Sequence, residues 1–111
     1  MNETNELRSL LFALGLCAKA GALIYGVPMI CEAMKKGKPV LLVLAARDNA
    51  QNSAKRLSDR CAFYGARLVT APVDGEALAH AVGKSARLAA VAVTDENLAR
   101  LITAKLDPDQ T

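Results

Sequence analysis

The stretch Pro39-Val-Leu-Leu-Val-Leu-Ala-Ala46 runs for eight residues without one polar side chain. It is far too short to cross a bilayer, which takes ~20 residues, and it has no polar face to turn toward water. Such a run reads as a strand covered on both sides, the central strand of an α/β sheet. The rest of the 111-residue chain must then supply two covering layers.

The flanking segments have the periodicity for that task. Leu7, Leu10, Leu11, Leu14, Cys17 and Ala18 recur at helical spacing over residues 4–19, with Thr4 or Asn5 near the cap and Gly21 as the stop. Leu23 to Tyr25 is a short apolar segment, and Gly26 followed by Pro28 marks a second helix running to about Lys36, with Gly37 as its stop. Beyond the central strand, Asp48 or Asn49 is placed to cap a third helix with Ala54, Leu57, Cys61 and Tyr64 inward, ending at Gly65. Arg67 to Ala71 is the next strand, and Pro72 to Asp74 turn into a short helix with Ala77, Leu78, Ala81 and Val82 inward. Leu88 to Val93 is the last strand. Thr94 or Asp95 caps a final helix with Leu98, Leu101, Ile102 and Leu106 on one face. This alternation predicts one α/β domain over residues 1–106, a three-layer α/β/α sandwich, followed by a loose tail at 107–111. Aromatics are only 4% of the chain against 52% hydrophobic residues, so the core is expected to be Leu, Val, Ile and Ala in close packing.

Several function classes are disfavoured. Cys17, Cys31 and Cys61 match neither a CxxC metal pair nor a disulfide framework, so they are expected to stay reduced, and no metal or other cofactor is expected. The N-terminus lacks the order of a signal peptide, which together with the thiols points to the cytoplasm and to no membrane partner. The glycines form neither GxGxxG nor GxxxxGK[ST], so phosphate-cradling enzyme loops are missing. The single histidine, His80, lies between two alanines with no nucleophile near it in sequence and reads as a surface residue. Asp48 and Asp95 sit at strand ends, where catalytic residues often occur, but helix capping accounts for both. No enzymatic activity is expected.

Net charge is only +3, yet residues 19–67 carry nine basic residues against Glu32, Asp48 and Asp59. A polyanion would meet this half of the chain. Charge alone weighs a binding face and a merely solvated surface about equally.

Several segments stand together in a recognisable order: Leu14-Gly-Leu-Cys-Ala-Lys-Ala-Gly21, Gly26, Glu32-Ala-Met-Lys-Lys-Gly-Lys38, Val40 to Ala46 with Arg47-Asp48, Leu57-Ser-Asp-Arg-Cys61, Leu78-Ala-His-Ala-Val-Gly-Lys-Ser-Ala-Arg87 and Ala90-Val-Ala-Val-Thr-Asp95. In this order they resemble the YlxQ-like bacterial branch of the superfamily of large-subunit ribosomal protein seven-Ae and its thirty-e relative. The resemblance spans about residues 7 to 106. It implies a mixed sheet of about four strands and binding of structured RNA, ribosomal or other, with no DNA partner. It also implies a contact surface made of Gly26, Lys19 and the loop of Lys84, Ser85 and Arg87.

In the kink-turn binders of that superfamily the second helix opens Gly-x-Asn-Glu-x-x-Lys. Here it opens Gly26-Val27-Pro28-Met29-Ile30-Cys31-Glu32, so Gly26 matches while Pro28, Met29 and Glu32 replace the base-reading groups. Bidentate base contacts are worth ~1–3 kcal/mol each in discrimination, so weak preference for a standard kink-turn is expected. Lys35 and Lys36, with Lys38, remain as phosphate contacts at the helix's far end. The alternative reading is a protein-interaction module of the same fold without RNA binding, docking through apolar Val27, Pro28, Met29 and Ile30. Met29 equally fits the inward stripe of Val27, Ile30 and Met34.

Overall fold

The computed structural model describes residues 3–106, with side chains from Asn5 onward; the stretch 107–111, expected to be loose, lies outside the described residues. The elements follow the order α1 (Glu3–Lys19), β1 (Leu23–Tyr25), α2 (Val27–Lys35), β2 (Leu42–Ala45), α3 (Gln51–Tyr64), β3 (Arg67–Thr70), α4 (Gly75–Ala81), β4 (Ala90–Val93) and α5 (Glu96–Leu106). Thr4 and Asn5 fall inside the first turn of α1, not ahead of it. The four strands form one mixed sheet in the order β1-β4-β2-β3. β2 and β3 are parallel, and β4 runs antiparallel between β1 and β2.

Every residue of β2 and of β4 is buried. Both interior strands are therefore covered on two faces, which explains their unbroken apolar sequence. Alternation along each strand divides the core in two. Leu42, Leu44, Val91 and Val93 pack with α1, α4 and α5, while Val43, Ala45, Ala90 and Ala92 pack with α2 and α3. The alanines on the second face let α2 and α3 lie close to the sheet.

The regular ladders are shorter than the apolar runs. Leu41 is 40% exposed although its N–H donates to Val93, and Pro39 has no N–H to give. α3 is held by less than its sequence stripe suggests, since only Leu57 and Cys61 are buried while Ala54 and Tyr64 face solvent. Asp95 caps α5 as expected, accepting from the Leu98 N–H at 2.9 Å. Asp48 and Asn49 do not cap α3: Ala50 occupies the N-cap position without a side-chain bond. The helix starts too late for either side chain, and the Asp48 carboxylate is used elsewhere.

Strand register defines two ends of the sheet. At one end lie Tyr25, Ala45, Thr70 and the start of β4; at the other lie Leu23, Leu42, Arg67 and Val93. α2 starts at the first end and finishes at the second, ~13 Å away at 1.5 Å per residue.

Candidate nucleic-acid interface

At the first end the chain leaves β1 through Gly26, whose backbone (φ 87°, ψ 148°) lies where only glycine is free of strain. That conformation lets the Gly26 N–H donate to Ala90 O at 2.9 Å while its carbonyl accepts from Ile30 N–H at 3.0 Å, opening α2. Pro28 in the first turn has no N–H. The first-turn amides of α2 have no intrahelical acceptor, so this end of the helix carries the positive end of its dipole.

The loop after α4 comes to the same place. Lys84 Nζ lies 4.4 Å from the centroid of the Tyr25 ring, beside Gly26. Burial pushes the Tyr25 phenol up, with Cys17 adding to the shift, so the cation rests on a neutral ring. Ser85 and Arg87 follow, both on the surface. Arg87 is engaged: Nη1 donates to Asp48 Oδ2 at 2.7 Å and Nη2 to the Asp48 carbonyl at 3.0 Å. The other Asp48 oxygen accepts from Gly75 N–H at 3.0 Å, and Gly75 O accepts from Leu88 N–H at 3.1 Å. A Cβ on Gly75 would stand 2.7 Å from Leu88 O and 2.8 Å from Arg87 Cγ. Asp48, Gly75, Arg87 and Leu88 thus form a latch that ties the 84–89 loop to the start of α4. The bonded guanidinium holds the Asp48 carboxyl below the usual carboxylate range, and the carboxylate raises Arg87 in turn.

The expected contact residues do not all gather. Gly26, Pro28, Met29, Lys84, Ser85 and Arg87 share the first end. Lys19 finishes α1 and lies at the other end of β1, about 10 Å away along three strand residues. It shares that second end with Lys35, Lys36 and Lys38. Val27 and Ile30 are core residues and Met34 lies beneath them, whereas Met29 is 60% exposed. The four-residue apolar patch is thereby reduced to Pro28 and Met29. Glu32 is exposed and paired with Lys36 at 3.5 Å, which offsets its charge. Met29, Glu32, Lys36 and Lys38 line one wall of an open groove of about 350 Å3 whose other wall is β1 and the Gly21 turn. His80 is exposed, as expected. Burial pushes the Cys17 and Cys61 thiols up, with Asp95 and Cys31 respectively adding to the effect. Among the described residues no three His, Cys, Asp or Glu side chains cluster to hold a metal, and no helix is long and apolar enough to cross a membrane.

Sequence reasoning missed the part played by Tyr25, Asp48 and Gly75. Tyr25 reads as a strand residue and Asp48 as a cap, while Gly75 follows the Pro72–Asp74 turn without any mark of its own. Their partners lie far along the chain, 39 residues away in the case of Asp48 and Arg87.

Residues 8–103 match the ribosomal protein L7Ae/L30e/S12e/Gadd45 family. The chain belongs to that family. "RNA-binding protein YlxQ" of Bacillus subtilis is 32% identical over 95 residues, covering 85% of this chain and 91% of the relative. A Bacillus halodurans structure of a protein with unknown function superposes with a TM-score of 0.80 at 30% identity, covering 88% of this chain and 96% of that one. The 15.5kD RNA binding protein of Giardia lamblia superposes with a TM-score of 0.71 at 20% identity, covering 97% of this chain and 89% of that one, and so shares the fold. In this L7Ae-family chain the α2 N-terminus and the latched loop stand together at one sheet end, and Pro28, Met29 and Glu32 lie in the first two turns of α2.

Proposed function

We propose that this L7Ae-family chain is a cytoplasmic RNA-binding protein that recognises structured RNA, ribosomal or other, and catalyses no reaction. The observation that carries this reading is the convergence at Gly26. The α2 N-terminus opened by Gly26 and the Lys84 ammonium, which lies over the neighbouring Tyr25 ring, come from segments far apart in sequence and share one sheet end. Backbone amides at a helix N-terminus suit a phosphate oxygen, and Lys84 supplies the charge. The relative named as an RNA-binding protein points the same way.

The contacts divide by type. The Gly26 end positions a phosphate group, and Ser85 adds a hydroxyl beside it. Lys19, Lys35, Lys36 and Lys38 act over longer range on the backbone, without sequence information. Arg87 has its charge met by Asp48, so it holds the loop rather than the RNA. Pro28 and Met29 offer apolar surface where the superfamily's kink-turn binders carry base-reading groups.

The test is titration with a structured RNA hairpin at several salt concentrations. Affinity is expected to fall steeply as salt rises, and Lys84→Ala is expected to weaken every RNA alike. Binding that is insensitive to salt, or unchanged by Lys84→Ala at low salt, would refute the proposal.

A further inference from the structure

The chain has four aromatic residues, and none belongs to the buried core. Two of them end α3. Phe63 is 80% exposed and meets Tyr64 edge to face, with ring centroids 4.8 Å apart and planes at 84°. Arg60 lies one turn before them and Arg56 one turn earlier still, so helical spacing sets Arg56, Arg60 and Phe63 along one flank. Arg67 follows just beyond the Gly65 turn.

None of these three arginines forms an ion pair among the described residues. The one acid on α3, Asp59, is held by Lys55 at 3.1 Å. Helical spacing sets Asp59 beside the stripe, three residues after Arg56 and four before Phe63, with its charge met by Lys55. Packing has no use for the stripe, because Leu57 and Cys61 alone anchor α3. Arginines at i and i+4 repel, and the Asp59 between them is engaged by Lys55. Guanidinium groups outside any ion pair, beside an acid already held by Lys55 and leading to an exposed ring, complement a polyanion that also carries flat apolar rings.

We propose that the Arg56, Arg60, Phe63 stripe of α3 is a second RNA contact, on which an unpaired strand lays its phosphates and stacks a base. Paired bases hide their faces, so a ring platform selects single-stranded RNA. α2 and α3 cover the same face of the sheet and start from the same end. A strand leaving the structured element near Gly26 can therefore run along α3, ~21 Å at 1.5 Å per residue, and meet a cation at successive turns. This inference rests on the RNA-binding reading above and adds single-stranded flanks to the substrate.

The experiment compares one hairpin with the same hairpin extended by about ten unpaired uridines, a length within single-strand site sizes, at fixed salt. The tail is expected to tighten binding by the wild-type protein about tenfold. Phe63→Ala, at an exposed position that leaves the core intact, is expected to abolish most of that gain and leave the blunt hairpin unaffected. Phe63→Trp is expected to keep it. A tail carrying 5-iodouracil is expected to photocrosslink to the tryptic peptide Cys61–Arg67. Equal affinity for both RNAs would overturn the α3 contact while leaving the Gly26 site standing; failure to bind either RNA would overturn both. A gain that survives Phe63→Ala, or a crosslink to another peptide, overturns the stacking role. Self-association that Phe63→Ala abolishes, without any tail effect, would assign the patch to protein contact instead.

Discussion

The two ends of α2 are both basic, and they are built in opposite ways. At the Gly26 end a positive-φ glycine, a hydrogen bond to β4 and the Asp48–Arg87–Gly75 latch hold the backbone in place, and Lys84 rests on Tyr25. At the Lys36 end four lysines project from helix ends and turns, and Lys36 is tied only to Glu32 across an exposed pair. An organised end can position a ligand, because its groups are ordered before the ligand arrives. A diffuse end attracts a polyanion without orienting it.

The largest expected effect comes from breaking the organised end. Gly75→Ala drives a Cβ into Leu88 O and the Arg87 side chain, and overpacking of this kind costs about 1–3 kcal/mol. Urea unfolding should register that loss, and RNA affinity should fall with it. An unaffected midpoint and unaffected binding would show that the latch has no part in ordering the loop.

Adding the missing reading groups sharpens the comparison from the other side. Pro28→Asn with Met29→Glu and Glu32→Lys is expected to create a preference for a kink-turn over a matched hairpin of about tenfold, ~1.4 kcal/mol. The unmodified protein should show little preference. A strong preference in the unmodified chain would mean that other residues read the bases.

Smaller effects separate the contact from the latch, and one end from the other. Lys84→Ala should lower the slope of log affinity against log salt by about 1. Arg87→Ala should weaken binding with the slope unchanged, because Asp48 already meets that charge. Lys35→Ala with Lys36→Ala should lower the slope by about 1, since Glu32 already meets the Lys36 charge, without altering discrimination between RNAs. Equal slope changes for Lys84 and Arg87 would erase the distinction between them.

The smallest expected effect is on acid stability. Asp48 has its folded pKa depressed, first by the Arg87 hydrogen bond, so its stabilising contribution is present above the unfolded carboxylate value near ~3.9 and is lost as pH falls through the folded value. Thermal unfolding between pH 5 and 2, set by that window, should therefore show a shallower decline for Asp48→Asn than for the wild type. Parallel curves would place the bond outside the folded-state balance.

Much of this architecture is legible along the chain because it depends on neighbours. Continuous apolar residues at 42–45 and 90–93 mark strands buried on both faces, and glycines and Asp95 punctuate the helices. Helical spacing also contains the Arg56, Arg60, Phe63 stripe, since i, i+4 and i+7 share a flank in any helix. Its meaning depends on which flank the sheet leaves uncovered.

Tertiary structure decided what spacing could not. Met29 and Ile30 are adjacent apolar residues, yet Met29 faces solvent and Ile30 is fully buried, because α2 lies on the sheet along a single stripe. Lys19 and Gly26 are seven residues apart and stand at opposite ends of β1, while Arg87 and Asp48, 39 residues apart, are in contact. Local sequence determines φ, ψ and periodicity, which are short-range properties. Which ends meet follows from the β1-β4-β2-β3 order, and that order is set by how two separate cores close around one sheet.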